Sequence, residues 1–230
     1  ASVDATGSTF SSNDRYGLFL DNTNELDGLF ENNTLTGNGE RPIYISGTQV
    51  HLLDPSSSFT GNGDDRVAVY QATLTRDVTW STLDVPYLML GDLFIQSAAA
   101  PVLTIQAGTT VEFESGASIW AGSADDGGLV AKGTESAPIL FTSAQDSPAP
   151  GDWDGLVFYA NCVEASSILE NVTVEYAGTN GYGAIWTHTC EATVTDSTVR
   201  YSSTWGIFRH YSTLNLEGIS YLDNASGDLR

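Results

Sequence analysis

The sequence predicts an all-β fold in which short strands wind into stacked coils, and three observations support this prediction. First, residues 35–39 read Leu-Thr-Gly-Asn-Gly, and residues 59–63 repeat this as Phe-Thr-Gly-Asn-Gly. Second, each copy precedes an alternating apolar run, at residues 43–45 and 67–69. Third, two-residue periodicity bounded by Gly, Asn and Asp recurs throughout, as is typical of strands and turns. A unit this short cannot bury its own apolar face, so the copies must stack.

We predict a single domain over residues 1–230, with three parts. Residues 1–80 form regular N-terminal coils, and residues 81–154 form middle coils that carry loops. Residues 155–230 form regular C-terminal coils, of which the final coil is incomplete.

The N-terminal repeat places an asparagine at one position of each coil, at Asn13, Asn38 and Asn62. Stacked coils bring equivalent residues to about 4.8 Å from one another. The three amides are therefore expected to form a hydrogen-bonded ladder. Asparagine also tolerates the left-handed backbone that a tight corner needs.

Acidic pairs in Gly-rich turns are the candidates for chemistry, because loops at a solenoid corner often hold binding sites. A glycosidase needs two facing carboxylates roughly 5–10 Å apart, and calcium binds carboxylate oxygens. Aspartate is also the usual residue of a turn, so the structural interpretation stays open beside the metal and catalytic ones. The candidates are Asp64, Asp65, Asp125, Asp126, Asp152 and Asp154.

The two cysteines fit the C-terminal repeat. Gly155 and Gly183 open successive coils, and Cys162 and Cys190 follow them at the same offset. Stacking makes the cysteines axial neighbours, within reach of a disulfide. That bond would close a loop of about 28 residues, contribute roughly 3–4 kcal/mol and indicate an oxidising compartment. Two buried free thiols are the alternative.

Two aromatic residues and three histidines also stand out. Tyr182 and Trp205 each precede a coil-opening glycine. If they are exposed they form a stripe suited to sugar rings, and if they are buried they form a core stack. His188 and His210 can approach each other in adjacent coils, although with His51 they show no metal-ligand spacing and are expected at surfaces or corners.

The charge excludes some partners. Eight Lys and Arg residues stand against 29 Asp and Glu residues, a net charge of −21. Phosphate binding needs a cationic face, so nucleic acid and anionic membranes are disfavoured. No stretch reaches the roughly 18 apolar residues of a membrane span. Nor does the chain show the charged and apolar regions of a signal peptide. No motif requires a cofactor, and calcium is the cation that the acidic loops favour.

Four passages in the middle of the chain resemble a known group. They are residues 103–113, 128–134, 138–143 and 151–158, the last reading Gly-Asp-Trp-Asp-Gly-Leu-Val-Phe. The chain here resembles the secreted bacterial right-handed parallel β-helix repeat proteins. The resemblance implies a three-faced coil and an extracellular or cell-surface location. The repeat spacings in the sequence predict about nine coils with a 23–28 residue period. The best-known enzymes of the group are polysaccharide lyases and glycosidases, and many members have no known activity.

The chain ends carry a further repeat signal. Residues 221–224, ending in Asn224, match residues 10–13 and would place Asn224 on the asparagine ladder. The final coil then lacks its remainder, which indicates either end-to-end self-association or a larger parent chain.

The function expected from these observations is a non-catalytic extracellular or cell-surface β-helix with a structural, adhesive or head-to-tail assembly role. The alternative is a carbohydrate-binding or polysaccharide-degrading β-helix, and ice binding is a minor alternative. No motif specifies a reaction, so the sequence favours a protein that is not an enzyme.

Overall fold

A computed structural model describes residues 2–21, 23–179 and 181–230. These residues form 26 short strands and two 3-10 helices, so the predicted all-β fold is confirmed. Every pairing between named strands is parallel. Within the described ranges no helix has the length and apolar character to cross a membrane.

The described residues before residue 67 contain six strands and one 3-10 helix. They are β1 (Ser2–Val3), β2 (Thr9–Ser11), β3 (Leu18–Phe19), β4 (Glu25–Leu26), β5 (Thr34–Thr36), β6 (Ile43–Ser46) and the helix Val50–Leu52.

Residues 67–143 contain ten strands. They are β7 (Val67–Tyr70), β8 (Ala72–Leu74), β9 (Val78–Trp80), β10 (Tyr87–Met89), β11 (Leu93–Ile95), β12 (Val102–Ile105), β13 (Thr110–Phe113), β14 (Ser118–Ala121), β15 (Gly128–Lys132) and β16 (Ile139–Ser143).

The C-terminal coils contain ten strands and the second 3-10 helix. They are β17 (Gly155–Phe158), the helix Glu164–Ser166, β18 (Ile168–Glu170), β19 (Val172–Glu175), β20 (Gly183–His188), β21 (Thr193–Thr195), β22 (Thr198–Arg200), β23 (Trp205–His210), β24 (Asn215–Glu217), β25 (Ser220–Leu222) and β26 (Gly227–Leu229).

Three parallel sheets form the faces of the solenoid. Sheet A has nine strands, β3, β6, β7, β10, β13, β16, β19, β22 and β25. Sheet B has seven strands, β8, β11, β14, β17, β20, β23 and β26. Sheet C has six strands, β9, β12, β15, β18, β21 and β24, and two further pairs join β1 to β4 and β2 to β5. From β7 onward each coil supplies one strand to A, then B, then C. The nine strands of sheet A confirm the predicted number of coils.

The coil length varies more than the predicted period allows. Val67 pairs with Tyr87, which makes that coil shorter than the predicted range, whereas Ile139 pairs with Val172, which makes its coil longer. The predicted period was too narrow because loops lengthen the coils at corners, where strand pairing is unaffected. Residues 144–154 form one such loop, between β16 and β17.

The core is a set of apolar columns inside the coils. Along sheet A one column runs through Tyr87, Val111, Phe141 and Val174, all with no exposed surface. Full burial of one such side chain contributes about 1.5–3 kcal/mol. The same inward positions recur in every coil, so stacking buries apolar side chains that a single coil would leave exposed.

The repeated Thr-Gly-Asn-Gly passage has a residue-by-residue explanation. Leu35 and the equivalent Phe59 fill the core. Gly37 has a φ of +66° and turns the corner in the left-handed region that glycine adopts at least cost. A side chain at Gly39 would collide with the backbone carbonyl of Asp14 in the preceding coil.

The asparagines between these glycines stack as a ladder. Asn38 Oδ1 accepts hydrogen bonds from Asn13 N and Nδ2, at 3.2 and 2.8 Å. Asn62 Oδ1 accepts the corresponding pair from Asn38, at 3.2 and 2.8 Å. The ladder ends at Asp65, whose carboxylate accepts the Asn62 backbone N–H at 2.7 Å.

Asn224 does not belong to this ladder, and its predicted placement was wrong. It lies between β25 of sheet A and β26 of sheet B, whereas Asn13 lies before β3, at the opposite end of the sheet A strands. The local device is nevertheless the same. Asn224 accepts from Ser202 N at 3.1 Å and donates to Val199 O at 3.0 Å, in the way that Asn38 contacts the coil before it. The match between residues 221–224 and residues 10–13 therefore reflects the same kind of corner at two different places in the coil.

Candidate functional site

The outer face of sheet B carries a continuous group of rings, which we call the aromatic strip. Strand pairing places Phe94 beside Trp120, and Val157 separates Trp120 from Trp186 in the same row. Trp186 in turn pairs with Phe208. The aromatic strip consists of Phe94, Trp120, Tyr159, Tyr182, Trp186, His188, Phe208, His210 and Tyr211.

Ring contacts link these residues across the strands. The Phe94 and Trp120 centroids are 6.3 Å apart, and Trp120 meets Trp186 at 5.7 Å with an interplanar angle of 79°. Tyr159 stacks on His188 at 4.6 Å. The strip therefore crosses several coils.

Tyr182 is an exposed member of the aromatic strip. Its ring lies nearly parallel to that of Trp186, 3.9 Å away at 10°, and the residue is 41% exposed. The edge of Phe208 lies 5.6 Å from Tyr182. Sugar stacking at Tyr182 stays a prediction.

Trp205, the other predicted stacking residue, lies elsewhere. Trp205 is the strand-pairing partner of Gly183 between β20 and β23. A Cβ atom added at Gly227 would collide with the Trp205 ring. The Arg230 guanidinium lies 5.7 Å from the Trp205 ring. Trp205 therefore packs against the last coil, and sugar stacking at Trp205 stays a prediction.

The acidic pair at residues 64 and 65 is occupied by protein partners. Asp64 accepts hydrogen bonds from Arg41 Nε at 2.7 Å and from Arg66 Nε at 2.6 Å. Burial opposes ionisation of Asp64, but Arg66 and Arg41 outweigh it and lower the pKa of this carboxyl. Asp65 terminates the asparagine ladder.

The remaining candidates lie on two corner loops. Asp125 and Asp126 are exposed, between β14 and β15. Asp152 accepts hydrogen bonds from Ser143 Oγ at 2.6 Å and Ala149 N at 2.8 Å, and so closes its own loop.

Asp154 has a different environment. Burial raises the pKa of its carboxyl, and the nearby charge of Asp92 raises it further. Asp92 accepts a hydrogen bond from Ser118 Oγ, which itself accepts the Trp120 indole N–H at 2.7 Å. Sequence reasoning missed this link from a corner to the aromatic strip, because Asp92 and Asp154 belong to coils that are not adjacent.

An open cleft of about 690 Å³ lies under the loop of residues 144–154. Its lining includes Glu114, Gln145, Asp146 and Asp152, and none of its lining residues is aromatic. The acidic cleft and the aromatic strip are therefore separate features. No group of three or more His, Cys, Asp or Glu residues is arranged to hold a metal ion in the described part of the chain, and calcium binding stays a prediction.

The outer face of sheet A carries stacked rings on its first strands, where Tyr44 lies between Phe19 and Tyr70, and ion pairs on its later strands. Glu175 is only 7% exposed, and it accepts hydrogen bonds from Thr142 Oγ1 at 2.9 Å and Arg200 Nε at 2.6 Å. Further along the sheet, Arg66 reaches Glu112 at 3.1 Å. The sequence did not single out these residues for this role, since each partner lies one or more coils away from the other.

Cys162 and Cys190 form a disulfide, with their Cα atoms 5.9 Å apart. This confirms the predicted pairing over two free thiols. The bond joins the segments that follow β17 and β20, next to the aromatic strip. A disulfide is compatible with an extracellular location.

Parallel coils stacked into three faces define the class of protein, a parallel β-solenoid. Residues 72–188, just over half of the chain, match the family model described as a pectate-lyase-like beta helix domain, and the chain belongs to this family. No curated protein and no solved structure matches the chain.

Proposed function

We propose that the protein is a non-catalytic extracellular β-solenoid that adheres to a polysaccharide through the aromatic strip. The observation that carries this proposal is the exposed Tyr182 ring stacked on Trp186, within a row of rings that crosses several coils. Contiguous apolar surface that is exposed on a soluble protein commonly marks an interaction site.

The chemistry of the aromatic strip fits sugar rings. Aromatic side chains combine a large apolar face with polar edges, and pyranose rings likewise present C–H faces and hydroxyl edges. A sugar chain lying along the solenoid axis would meet aromatic surface from more than one coil. The rings contact each other, so little side-chain freedom would be lost on binding.

The charge of the protein favours a neutral polysaccharide over an acidic one. At −21 the chain repels polyanions at long range. Most of the Lys and Arg side chains already pair with carboxylates of the chain, and Arg66 contacts two of them. These paired cations are Arg15, Arg41, Arg66, Lys132 and Arg200. Few cations are therefore left to attract an acidic sugar chain.

The carboxylates favour binding over cleavage. Asp64 and Asp152 are held by protein donors, and the acidic cleft has no aromatic lining. A glycosidase would place two facing carboxylates beside the bound sugar. Asp92 is linked to the aromatic strip by hydrogen bonds through Ser118 to Trp120, and Asp154 is affected by the charge of Asp92. Asp92 is thus already occupied by the Ser118 hydroxyl.

The test is affinity electrophoresis and calorimetry with neutral β-glucans and xylan, and with polygalacturonate as the acidic comparison. We expect the protein to bind a neutral polysaccharide, and Tyr182→Ala to weaken that binding about tenfold or more. Tyr70→Ala is the matched control, because Tyr70 stacks on Tyr44 at 5.0 Å on the outer face of sheet A. Absence of binding to every neutral polysaccharide would overturn the proposal, as would equal losses in the two variants.

A second candidate function, end-to-end self-association, is favoured by the last coil. The inward side chains of this coil are partly exposed, although the residues that they pair with in the preceding coil are fully buried. Leu229 is 38% exposed, whereas its partner Ile207 is 0% exposed. Tyr221 likewise stands over Val199. We propose that a coil from a second copy covers this layer. Light scattering and negative-stain imaging test it: filaments or oligomers are expected, and a monomer at high concentration contradicts it.

A further inference from the structure

We propose that His188 and His210 form a binding site for a divalent transition-metal ion of the Zn²⁺ or Ni²⁺ type. The two residues stand directly opposite each other on β20 and β23, so their side chains leave the same face of sheet B one strand apart. Their ring centroids are 4.8 Å apart. Two imidazoles from neighbouring strands can therefore chelate one ion between them.

The hydrogen bonds around His188 identify its ligand atom. Thr189 Oγ1 donates to the His188 carbonyl oxygen at 2.8 Å, so this hydroxyl is left to accept from the ring. His188 Nδ1 lies 3.2 Å from Thr189 Oγ1 and is assigned as the donor. The unprotonated lone pair is then on Nε2. Metal-binding histidines usually donate their second ring nitrogen in this way, which fixes the tautomer and the ring orientation.

Neighbouring rings hold both imidazoles in place. Tyr159 stacks on His188 at 4.6 Å and 16°, and Tyr211 lies 4.2 Å from His210. No carboxylate forms a salt bridge with either histidine in the ranges that the structure describes. Both imidazoles are partly exposed, so water can complete the coordination of an ion.

Charge and ligand type together select the ion. A net charge of −21 raises the local concentration of any cation. Imidazole nitrogen suits Zn²⁺ and Ni²⁺, whereas Ca²⁺ and Mg²⁺ prefer oxygen ligands. The two histidines belong to the aromatic strip, but metal titration needs no sugar, so the metal proposal and the polysaccharide proposal can fail separately.

His51 provides the matched control. Its Nε2 lies 3.2 Å from the Arg76 guanidinium, and burial together with the Arg76 charge lowers the pKa of the ring. A cation beside the ring opposes the approach of a second cation. His51→Gln should therefore leave metal binding unchanged.

The experiment is calorimetric titration of the chelator-treated full chain with NiCl₂, with CaCl₂ titrated separately. We expect one equivalent of Ni²⁺ to bind, and His188→Gln and His210→Gln each to abolish that equivalent. Circular dichroism confirms that the variants fold, and a rise in the midpoint of thermal unfolding with Ni²⁺ should be lost in both. The proposal is overturned if the natural chain takes up no Ni²⁺, if both variants retain it, or if CaCl₂ displaces it.

Discussion

The outer faces of sheets A and B are built by the same parallel strand pairing, but they carry different kinds of side-chain contact. On sheet A, side chains from different coils satisfy one another, as Glu175 does with Thr142 and Arg200. On sheet B, the rings contact one another yet leave Tyr182 41% exposed. A polar group that is already paired has little left to offer a ligand, whereas an exposed ring face still does. In the later coils, the comparison therefore separates a face that holds coils together from a face suited to a partner.

The largest effect should come from the covalent link beside sheet B. Replacing both Cys162 and Cys190 by serine should lower the free energy of unfolding by about 3–4 kcal/mol, since the unfolded chain regains the freedom of a loop of about 28 residues. Denaturant unfolding of the variant measures this. Reduction of the natural chain should give a similar loss, and a change below about 1 kcal/mol in both would show that the coils do not depend on the bond.

A smaller effect is expected at Glu175 on sheet A. Glu175→Ala should lower stability by about 1–3 kcal/mol, because it leaves Thr142 and Arg200 without their acceptor. The control is Glu170→Ala, which removes an exposed ion pair with Lys132 at 3.6 Å and should cost at most about 1 kcal/mol. Both are measured by denaturant unfolding, and equal losses would contradict the role assigned to this face.

Asp154, at the corner between the two sheets, should show a pH-dependent effect. Burial and Asp92 raise the pKa of its carboxyl, so the folded state binds the proton more tightly than the unfolded state does. Stability therefore falls as pH rises from the ordinary aspartate value, about 3.9, through the raised folded value. Asp154→Asn should be more stable than the natural chain at neutral pH, and the difference should vanish in acid. Thermal unfolding across pH measures it.

Asp125→Asn is the control for that experiment, since Asp125 is exposed on a loop. It should leave the pH profile unchanged. The same stabilisation in both variants would mean that net charge, and not the site, is the cause.

The smallest effect on stability should be that of Tyr182→Ala. An exposed side chain on the aromatic strip contributes little to the core, so stability should change by no more than about 0.5 kcal/mol. A larger loss in denaturant unfolding would mean that Tyr182 is part of the packing and would weaken the contrast between the faces.

The repeat period was the most informative sequence signal, and its limits are physical. Asn38 and Asn62, and likewise Cys162 and Cys190, follow repeats whose spacing is close to that of the coils, so their neighbours could be predicted. Asn224 was misplaced because a strand followed by a left-handed residue and an asparagine makes the same corner wherever it occurs. Asp223 and Ser12, which precede the two asparagines, have φ values of +52° and +58°.

The aromatic strip as a whole could not be predicted from the sequence, because its members do not recur at a fixed interval. Trp120 and Trp186 are two strands apart in sheet B, yet corner loops place them far apart along the chain. Tyr182, His188 and His210 were singled out, since they lie close to glycines that belong to a visible repeat. Corner loops differ in length, so the other residues that strand pairing brings together have no fixed spacing in the sequence.

The disulfide also has a mechanical consequence for a protein that would hold a surface. Hydrogen bonds between coils run along the solenoid axis, so tension on the C-terminal end should peel coils away one at a time. Peeling should stop at Cys190, after roughly 40 residues have extended to about 140 Å. Tyr182 and Trp186 lie inside the loop that Cys162 and Cys190 close, so the central contact should stay folded under load. Single-molecule pulling with and without reductant would reveal that stop.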